Sequence, residues 1–269
     1  MIQLLQQFAW YAALVVVFAV LERRWPVGPV ASPREQLYNF ALAAVAALST
    51  TLVLRLGDIS YAIRKWIGIE AAIAPGWVPV ALWEWVLGSL AYLIVWDVVQ
   101  YWYHRVQHEV RGLWPMHALH HDSEALNASD ALRNTLWHHI ATSIVVTLPV
   151  LVIAGSKIVH PYAAWVFLLS WGFYNHANLR WSHGPLTWLI SGPQWHRLHH
   201  GKAAEYYNCN YAALFPFIDI VFGTYRSPRP DEYPETGLLD RRQSSGGFRQ
   251  WALSMLGRRQ PRLGVGSDE

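Results

Sequence analysis

WDVVQYWYHRVQHEVRGLWPMHALHH, at residues 96–121, and a shorter echo, QWHRLHH, at residues 194–200, together hold eight of the 13 histidines in the chain. Their spacings are HxxxH, HxxHH and again HxxHH. Residues at i, i+3 and i+4 share one face of a helix, so each motif presents its imidazoles in one direction. Neutral imidazole is a good ligand for zinc, iron, copper and nickel. Because eight ligands are too many for one ion, the pattern predicts a two-metal site. The eight are His104, His108, His117, His120, His121, His196, His199 and His200.

The composition indicates a membrane protein. Hydrophobic residues make up 53% of the 269 residues and charged residues only 14%, below the roughly 25% of soluble domains. The single cysteine, Cys209, excludes a disulfide framework and a cysteine-rich iron–sulfur motif. The net charge of +3 is small, and basic residues cluster at the ends of apolar runs, which indicates membrane topology rather than nucleic-acid binding. The N-terminus has no positive segment before its apolar run, so we expect no cleaved signal peptide.

Long apolar runs predict the membrane helices. Residues 4–21 and 37–56 are each long enough to cross a bilayer, and the polar-punctuated residues 57–76 are expected in the interface. From residue 80 no proline interrupts the chain until after the HRVQH motif, so one helix is predicted to run from the membrane into that motif. Residues 80–100 use up the hydrocarbon core of about 30 Å. The HRVQH histidines are therefore expected within a turn or two of the membrane surface.

Two shorter apolar runs follow, at residues 136–155 and 161–174. They form either short spans or a re-entrant hairpin, and the total is four or five spans. In both arrangements the chain returns to the side that it left and brings His176 toward the first histidines. Most arginines fall on that same side, which places it in the cytoplasm. The expected fold is all-α: a multi-span membrane helical bundle with a cytosolic helical cap that carries a histidine-rich di-metal site.

Five histidines lie outside the clusters. His160, in a tight turn beside a proline, is expected to be structural. His138 and His139 open an apolar run, where capping at the membrane interface is the favoured role. His183 precedes a Gly-Pro pair that would end any helix shared with His176, so it stays unassigned. His176 has no partner at i+3 or i+4, and its spacing leaves ligation and a structural role equally open.

The order of the motifs resembles a known family. HRxxH, LWxxHxxHH, HANLRW and P-x-WHRLHH, followed by NY and FGTY, are similar to the fatty acid hydroxylase/sterol desaturase superfamily of membrane histidine-rich di-iron oxygenases. The matching stretch runs from about Asp97 to Tyr225, roughly half of the chain. In FIDIVFGTY, Ile218 takes the place of the usual tryptophan, and ALRNTLWHH also departs from the commoner pattern, so His138 and His139 stay unassigned.

The resemblance implies an enzyme that uses O2 and external electrons to hydroxylate an unactivated C–H bond of a fatty acyl, sterol or related lipid. Desaturation of a lipid at the same kind of site is the alternative. It implies two iron ions, because O2 activation needs a redox-active metal, although zinc also suits imidazole and can occupy a purified sample. The implied ligands are His104, His108, His117, His120, His121, His176, His196, His199 and His200.

The resemblance also divides the chain. Residues 1–76 are expected to form membrane helices and an interfacial segment, residues 77–226 the catalytic domain, and residues 227–269 a polar, flexible tail.

The chain has no dinucleotide-binding fingerprint and no flavin motif, so electrons must come from a separate donor, a ferredoxin or a cytochrome b5 with its reductase. Four basic residues near the site either steer such a carrier or bind anionic headgroups. They are Arg105, Arg111, Arg180 and Arg197.

Ligating histidines need an acceptor for their second ring nitrogen. Asp97 lies two turns before His104 on the same helix face and is the leading candidate. The alternative is an ion pair between Asp97 and an arginine such as Arg105. Further candidates are Asp122, Glu124 and Asp219.

Two other classes of protein stay open. A membrane metal transporter or metal-binding protein would use the same histidines, but it would need polar residues along several spans, and only Glu84 and Asp97 qualify. A catalytically inactive scaffold would not need the complete set of ligands.

Overall fold

The chain folds into helices. The computed structural model describes residues 2–68, 81–154 and 161–239, and within these ranges it contains nine α-helices and no sheet beyond two isolated bridges. The α-helices are α1 (Ile2–Arg24), α2 (Pro33–Trp66), α3 (Leu82–Glu109), α4 (Trp114–His121), α5 (Leu136–Thr142), α6 (Leu148–Ala154), α7 (Pro161–His176), α8 (Pro193–His199) and α9 (Phe217–Phe222). A π-helical turn, Ser143–Thr147, joins α5 to α6, and a 3-10 turn occupies Ala128–Leu132. The expected all-α fold is confirmed.

Three helices in the described part of the chain are long and apolar enough to cross a membrane: Leu5–Arg24, Leu82–Glu109 and Leu136–Ile153. They correspond to α1, to α3 and to the continuous helix from α5 to α6. Each falls on an apolar run that the sequence predicted. α7 has 16 residues and is short for a span, as its sequence indicated.

α2 differs from its prediction. The sequence predicted a span at residues 37–56 and an interfacial segment at residues 57–76, but α2 continues without a break to Trp66. A glycine inside a helix costs only about 1 kcal/mol, so Gly57 does not end it. Residues 69–76 lie outside the described ranges, as do the predicted turn at 157–160, with His160, and the tail beyond residue 239.

Local signals fix both ends of α2. At its start, Ser32 Oγ accepts a hydrogen bond from Glu35 N (3.2 Å), and the Glu35 carboxylate accepts one from Ser32 N (2.7 Å). This reciprocal pair is a capping box. At its end Gly68 has a φ of +74°, the left-handed conformation that glycine adopts without steric cost.

A buried carboxylate joins the N-terminal helix to the part of the chain that carries the histidines. Glu22 Oε1 accepts hydrogen bonds from the backbone N–H groups of Ala128 (2.7 Å) and Asn178 (2.9 Å). The same elements share an apolar cluster of Tyr11, Ala128, Leu132, Phe173, Ala177 and Leu179. The end of α1 therefore lies beside the end of α7, two residues from His176. The predicted domain boundary at residue 76 stays a prediction.

The helix ends sort to two sides. α2 begins on the histidine side, where Asn39 Nδ2 donates to Asp130 Oδ1 (2.7 Å). It ends on the other side, where Arg64 donates to the carbonyl of Val152 near the end of α6 (2.6 Å). α3 and α7 end on the histidine side and α5 begins there, so His176 returns to the first histidines as predicted.

Candidate metal centre

Four helices bring nine histidines into two adjoining groups. In each group, one possible ligand atom per residue lies within 4.8 Å of all the others. The group of five is His104, His108, His117, His121 and His199. The group of four is His120, His176, His196 and His200. The groups touch where the rings of His121 and His200 stack, with centroids 4.3 Å apart. Every histidine that was predicted as a ligand, including His176, lies in one of these groups.

Each of the two HxxHH motifs supplies histidines to both groups, two to one group and one to the other. α4 gives its i, i+4 pair, His117 and His121, to the group of five and gives His120 to the group of four. The second motif gives its i, i+4 pair, His196 and His200, to the group of four and gives His199 to the group of five. Helical spacing explains this division, because residues at i and i+4 lie almost directly above one another, whereas the i+3 residue points to one side.

The ring nitrogens face one another as ligands of a shared ion would. His117 Nε2 lies 2.9 Å from His104 Nε2 and 3.1 Å from His121 Nε2. In the group of four, His176 Nε2 lies 3.0 Å from His120 Nε2 and 3.1 Å from His196 Nε2. Two ligands held at a right angle, each about 2.1 Å from one ion, would be about 3.0 Å apart.

Backbone carbonyls hold three of these rings through the other nitrogen. His104 Nδ1 lies 2.7 Å from Tyr211 O, His199 Nδ1 lies 2.8 Å from Cys209 O, and His176 Nδ1 lies 2.6 Å from Gly172 O. A carbonyl oxygen only accepts, so each Nδ1 must carry the proton and each Nε2 must present a lone pair. Those lone pairs point into the two groups, and the Nε2 atoms of His108, His199 and His200 have no other partner. The donor set therefore fits two metal ions.

The prediction that Asp97 accepts a hydrogen bond from a ligating histidine is wrong. Asp97 is fully buried, and its carboxylate accepts hydrogen bonds from the backbone N–H groups of Ala213 (2.7 Å), Leu214 (3.0 Å) and Phe215 (2.7 Å). Seven residues along a helix separate it from His104 by about 10 Å, beyond the reach of an aspartate. The alternative pairing with Arg105 is also wrong, because Arg105 binds Glu109 (2.8 Å).

Asp219 binds the two residues directly before those that Asp97 binds, in the loop at residues 211–215. Its carboxylate accepts hydrogen bonds from Tyr211 N (2.7 Å) and Ala212 N (2.9 Å). Five consecutive N–H groups, Tyr211 to Phe215, thus end on two buried carboxylates. Burial raises the pKa of Asp219, and the hydrogen bonds from Thr224 and the loop oppose that rise.

Burial keeps the clustered imidazoles of α4 and α8 neutral. It lowers their pKa values well below the ordinary value of 6.5, and the neighbouring imidazoles lower them further because like charges would repel. The neutral imidazole is the form that binds a metal ion. Electrostatics and geometry therefore favour the same state of the site.

The remaining described histidines lie outside both groups. His138 stacks on His117, with centroids 5.5 Å apart, and its Nδ1 lies 3.1 Å from Gln107 Nε2. His183 contacts Tyr174 Oη (2.6 Å) and Ile190 O (3.0 Å) through its two nitrogens, which makes it structural.

Charged residues that the sequence singled out have local partners. Asp122 binds Arg133, and Glu124 lies 3.8 Å from Lys202. Arg197 is only 4% exposed, and burial lowers its pKa to about 10. It donates to Pro234 O (2.9 Å) and is not available to steer a carrier. Arg105 and Arg180 are more exposed, and they pair with Glu109 (2.8 Å) and Asp231 (3.0 Å) respectively.

A cavity of about 260 Å³ opens directly beside the histidines. It lies between α3, the helix from α5 to α6, and α7, which supply wall residues at helical spacing. On α3 these are Tyr92, Trp96, Gln100 and His104. The wall therefore extends about 18 Å along α3 from His104 to Tyr92, into the predicted membrane span.

The model of the family described as fatty acid hydroxylase matches residues 89–224, just over half of the chain. The chain belongs to the fatty acid hydroxylase family. The match covers all nine clustered histidines and the loop that Asp97 and Asp219 support, and this confirms the resemblance seen in the motifs.

Relatives of this fatty acid hydroxylase family member include three named lipid enzymes. Alkylglycerol monooxygenase of Danio rerio is 31% identical over 175 residues, which cover 65% of this chain and 36% of the relative. Ornithine lipid hydroxylase OlsE of Rhizobium tropici is 25% identical over 242 residues, 85% of this chain and 69% of the relative. Methylsterol monooxygenase 1-3 of Arabidopsis thaliana is 24% identical over 190 residues, 69% and 62% respectively. The chain spans about a third of the length of the alkylglycerol monooxygenases. No solved structure matches significantly.

Sequence reasoning missed the supporting groups of this family member. The carbonyls of Tyr211 and Cys209 are backbone atoms, and no side-chain pattern marks them. Glu22 left one usable signal, a carboxylate directly after the apolar run of residues 4–21.

Proposed function

We propose that this protein is an integral membrane di-iron oxygenase that hydroxylates an unactivated C–H bond of a lipid. The proposal rests on one observation: the two histidine groups lie directly beside a cavity between membrane-spanning helices. A neutral, buried, all-imidazole donor set suits first-row metals. The names of the relatives, which act on alkylglycerols, ornithine lipids and methylsterols, support a lipid as the substrate.

The nine histidines are the proposed ligands, five for one ion and four for the other. When bound, a pair of iron ions would supply the redox chemistry that O2 activation needs, which zinc lacks. The carbonyls at Tyr211, Cys209 and Gly172 fix the tautomers of His104, His199 and His176 and so orient their lone pairs. Asp97 and Asp219 hold the loop that carries two of these carbonyls.

The cavity walls orient the lipid and exclude water. Trp96, Leu168, Leu169 and Trp171 bury an apolar chain on the membrane side, and the histidines of α3, α4, α7 and α8 close the other end. Holding a C–H bond at one position beside the ions is the contribution that a protein makes to such a reaction. A ferredoxin or cytochrome b5 system with its reductase is the proposed source of the electrons.

The test combines metal content with lipid analysis. The purified protein is expected to hold about two iron ions per chain. When a ferredoxin or cytochrome b5 system with its reductase supplies electrons, it is expected to consume O2 only when lipid is present. Lipid extracts from cells with and without the protein are then compared by mass. Gain of one oxygen supports hydroxylation, whereas loss of two hydrogens would replace it by desaturation.

Ligand variants test the assignment of the two groups. His108→Ala in the group of five and His200→Ala in the group of four are each expected to lose at least one ion per chain and the lipid product. His183→Gln, outside both groups, is the matched control and should keep both ions. Metal flux into liposomes without O2 consumption would support a transporter and contradict the oxygenase.

A further inference from the structure

The cavity beside the histidines contains polar side-chain atoms that have no hydrogen-bond partner. Apart from the Nδ1 atoms of the clustered histidines His117, His120 and His196, they are Gln100 Oε1, Asn134 Oδ1, His139 Nε2 and Tyr211 Oη. All four are buried atoms of residues that line the cavity. Buried polar atoms are normally paired, so an unpaired set that lines one cavity indicates a ligand that pairs with it.

The four atoms lie at the histidine end of the cavity. Gln100 is one helical turn from His104 on the same face of α3. The segment with Asn134 and His139 lies against α4, because Thr135 Oγ1 donates to Met116 O (3.2 Å) and the neighbouring His138 stacks on His117. Tyr211 contacts His104, with ring centroids 5.5 Å apart.

The arrangement of the Asn134 amide is fixed by a neighbour. Its Nδ2 donates to the carbonyl of Ala131 (3.2 Å), so Oδ1 is the atom left for another partner. Asn134 is 7% exposed, which leaves little room for bulk water. Amide oxygens accept hydrogen bonds and never donate, whereas a neutral imidazole and a phenol can do either.

The opposite end of the cavity differs in chemistry. Tyr92, Thr147, Leu168 and Leu169 line it, and none of their side-chain atoms belongs to the unpaired set. Leu168 precedes His176 by eight residues and Thr147 follows His139 by eight, so both lie about 12 Å from the histidine end. The cavity is therefore polar beside the histidines and largely apolar toward the membrane.

We infer that the cavity binds an amphiphilic lipid whose hydrogen-bond-donating group, a hydroxyl or an N–H, pairs with Gln100 and Asn134 beside the carbon that is oxidised. The lipid tail lies toward Tyr92 and Leu168. The position of the oxidised carbon in this inference rests on the proposed function, whereas the binding of the lipid does not. A plain methylene segment placed at the histidines would leave both amide oxygens unpaired, which makes mid-chain oxidation of an acyl lipid the disfavoured case.

Binding without turnover tests the inference. Isotope-labelled 1-hexadecanol and 1-methoxyhexadecane share a chain and an oxygen but differ in the O–H donor. Their equilibrium binding is measured on the iron-loaded protein in detergent micelles without O2. The unaltered protein is expected to prefer the alcohol by about tenfold or more, the factor that one unpaired buried acceptor imposes.

Variants assign that preference to the two amides. Gln100→Met combined with Asn134→Leu keeps the side-chain volumes and removes both amide oxygens. The preference should fall to near parity. Thr147→Val, which removes a polar group at the membrane end of the same cavity, is the matched control and should keep the preference. Iron content shows whether each variant retains the site.

Two results would overturn the inference. One is equal binding of the alcohol and the ether by the unaltered protein, a comparison that requires no variant to fold. The other is an unchanged preference in an iron-containing double variant, which would mean that water satisfies the amides. If the preference follows the amides but no lipid is ever oxidised, the binding inference stands and the proposed function fails.

Discussion

At the scale of single residues, the most consequential groups beside the ligands are two aspartates. Asp97 and Asp219 take up five consecutive backbone N–H groups, and the loop so held presents the carbonyls that orient His104 and His199. Hydrogen bonds to a charged acceptor are about twice as strong as those between neutral groups. The aspartates therefore fix the histidine rings through the backbone.

Asp97→Asn tests this support. The substitution replaces one acceptor oxygen by an N–H₂ group that faces a backbone donor, so we expect it to lower the free energy of unfolding by about 3 kcal/mol. For a chain of this size that loss lowers the melting temperature by about 5–10 °C. Iron retention should fall as well, because the loop carbonyls shift.

Asp231→Asn is the control for Asp97→Asn. Asp231 is an exposed carboxylate paired with Arg180 at 3.0 Å, and exposed pairs contribute little to stability. Thermal melting and iron content, measured on both variants, separate the two positions. An Asp97→Asn protein that melts and binds iron like the Asp231→Asn protein would contradict the supporting role.

The same residues show what the sequence could and could not predict about the site. HxxxH and HxxHH spacings predict which histidines share a face, since helical geometry is local. His176 needed the family resemblance, because its neighbours in the group are 20 or more residues away. The bond from His104 to Tyr211 joins residues 107 positions apart through a backbone oxygen, and no residue-type pattern records such a contact.

At the scale of helices, α1 lies outside the stretch that matches the family and yet is bonded to the site region. Glu22 accepts both of its backbone hydrogen bonds, from Ala128 N and Asn178 N, on a single oxygen, Oε1. A glutamine oxygen can accept the same two bonds, because a carbonyl oxygen has two lone pairs. A leucine cannot, and it would leave both donors buried without a partner.

We therefore expect Glu22→Gln to be tolerated and Glu22→Leu to lower the free energy of unfolding by about 2–4 kcal/mol. Thermal melting of the two purified variants gives the comparison. Leu21→Met, at the neighbouring position, controls for packing changes at the end of α1. Equal melting of the Leu and Gln variants would show that α1 is held by its apolar contacts alone.

Helix positions were predicted better than helix ends. α3 was predicted because a long proline-free apolar run leads into a histidine motif, and both features are local. α2 ran past its predicted end because one glycine is a weak stop signal. The π-helical turn at Ser143–Thr147 had no signal in the sequence. There, the Thr142 and Ser143 hydroxyls donate to carbonyls one turn back, a contact that often bends helices.

At the scale of the whole molecule, the histidine groups join helices from both halves of the chain, so bound metal should stabilise the entire fold. Removing the iron with a reductant and a chelator is expected to lower the melting temperature by about 5–10 °C. Readdition of iron should restore both melting temperature and lipid oxidation. Zinc should restore only the melting temperature, because it has the ligand chemistry without the redox chemistry. A melting temperature indifferent to metal would contradict the shared role of the nine histidines.

The two-sided arrangement of helix ends also makes the orientation in the membrane testable. Arg23, Arg34 and Arg105 lie toward the histidine side, and Arg64 lies on the opposite side. Because basic residues are retained in the cytoplasm, we expect the histidine side to face it. Arg180→Cys, exposed on the histidine side, and Ile67→Cys, at the opposite end of α2, report the two sides in a Cys209→Ala background. In bacterial spheroplasts an impermeant maleimide should label Ile67→Cys at once but Arg180→Cys only after the membrane is opened. The reverse pattern would place the histidines outside, where cytoplasmic ferredoxin or cytochrome b5 could not reach them, and the proposed electron supply would fail with it.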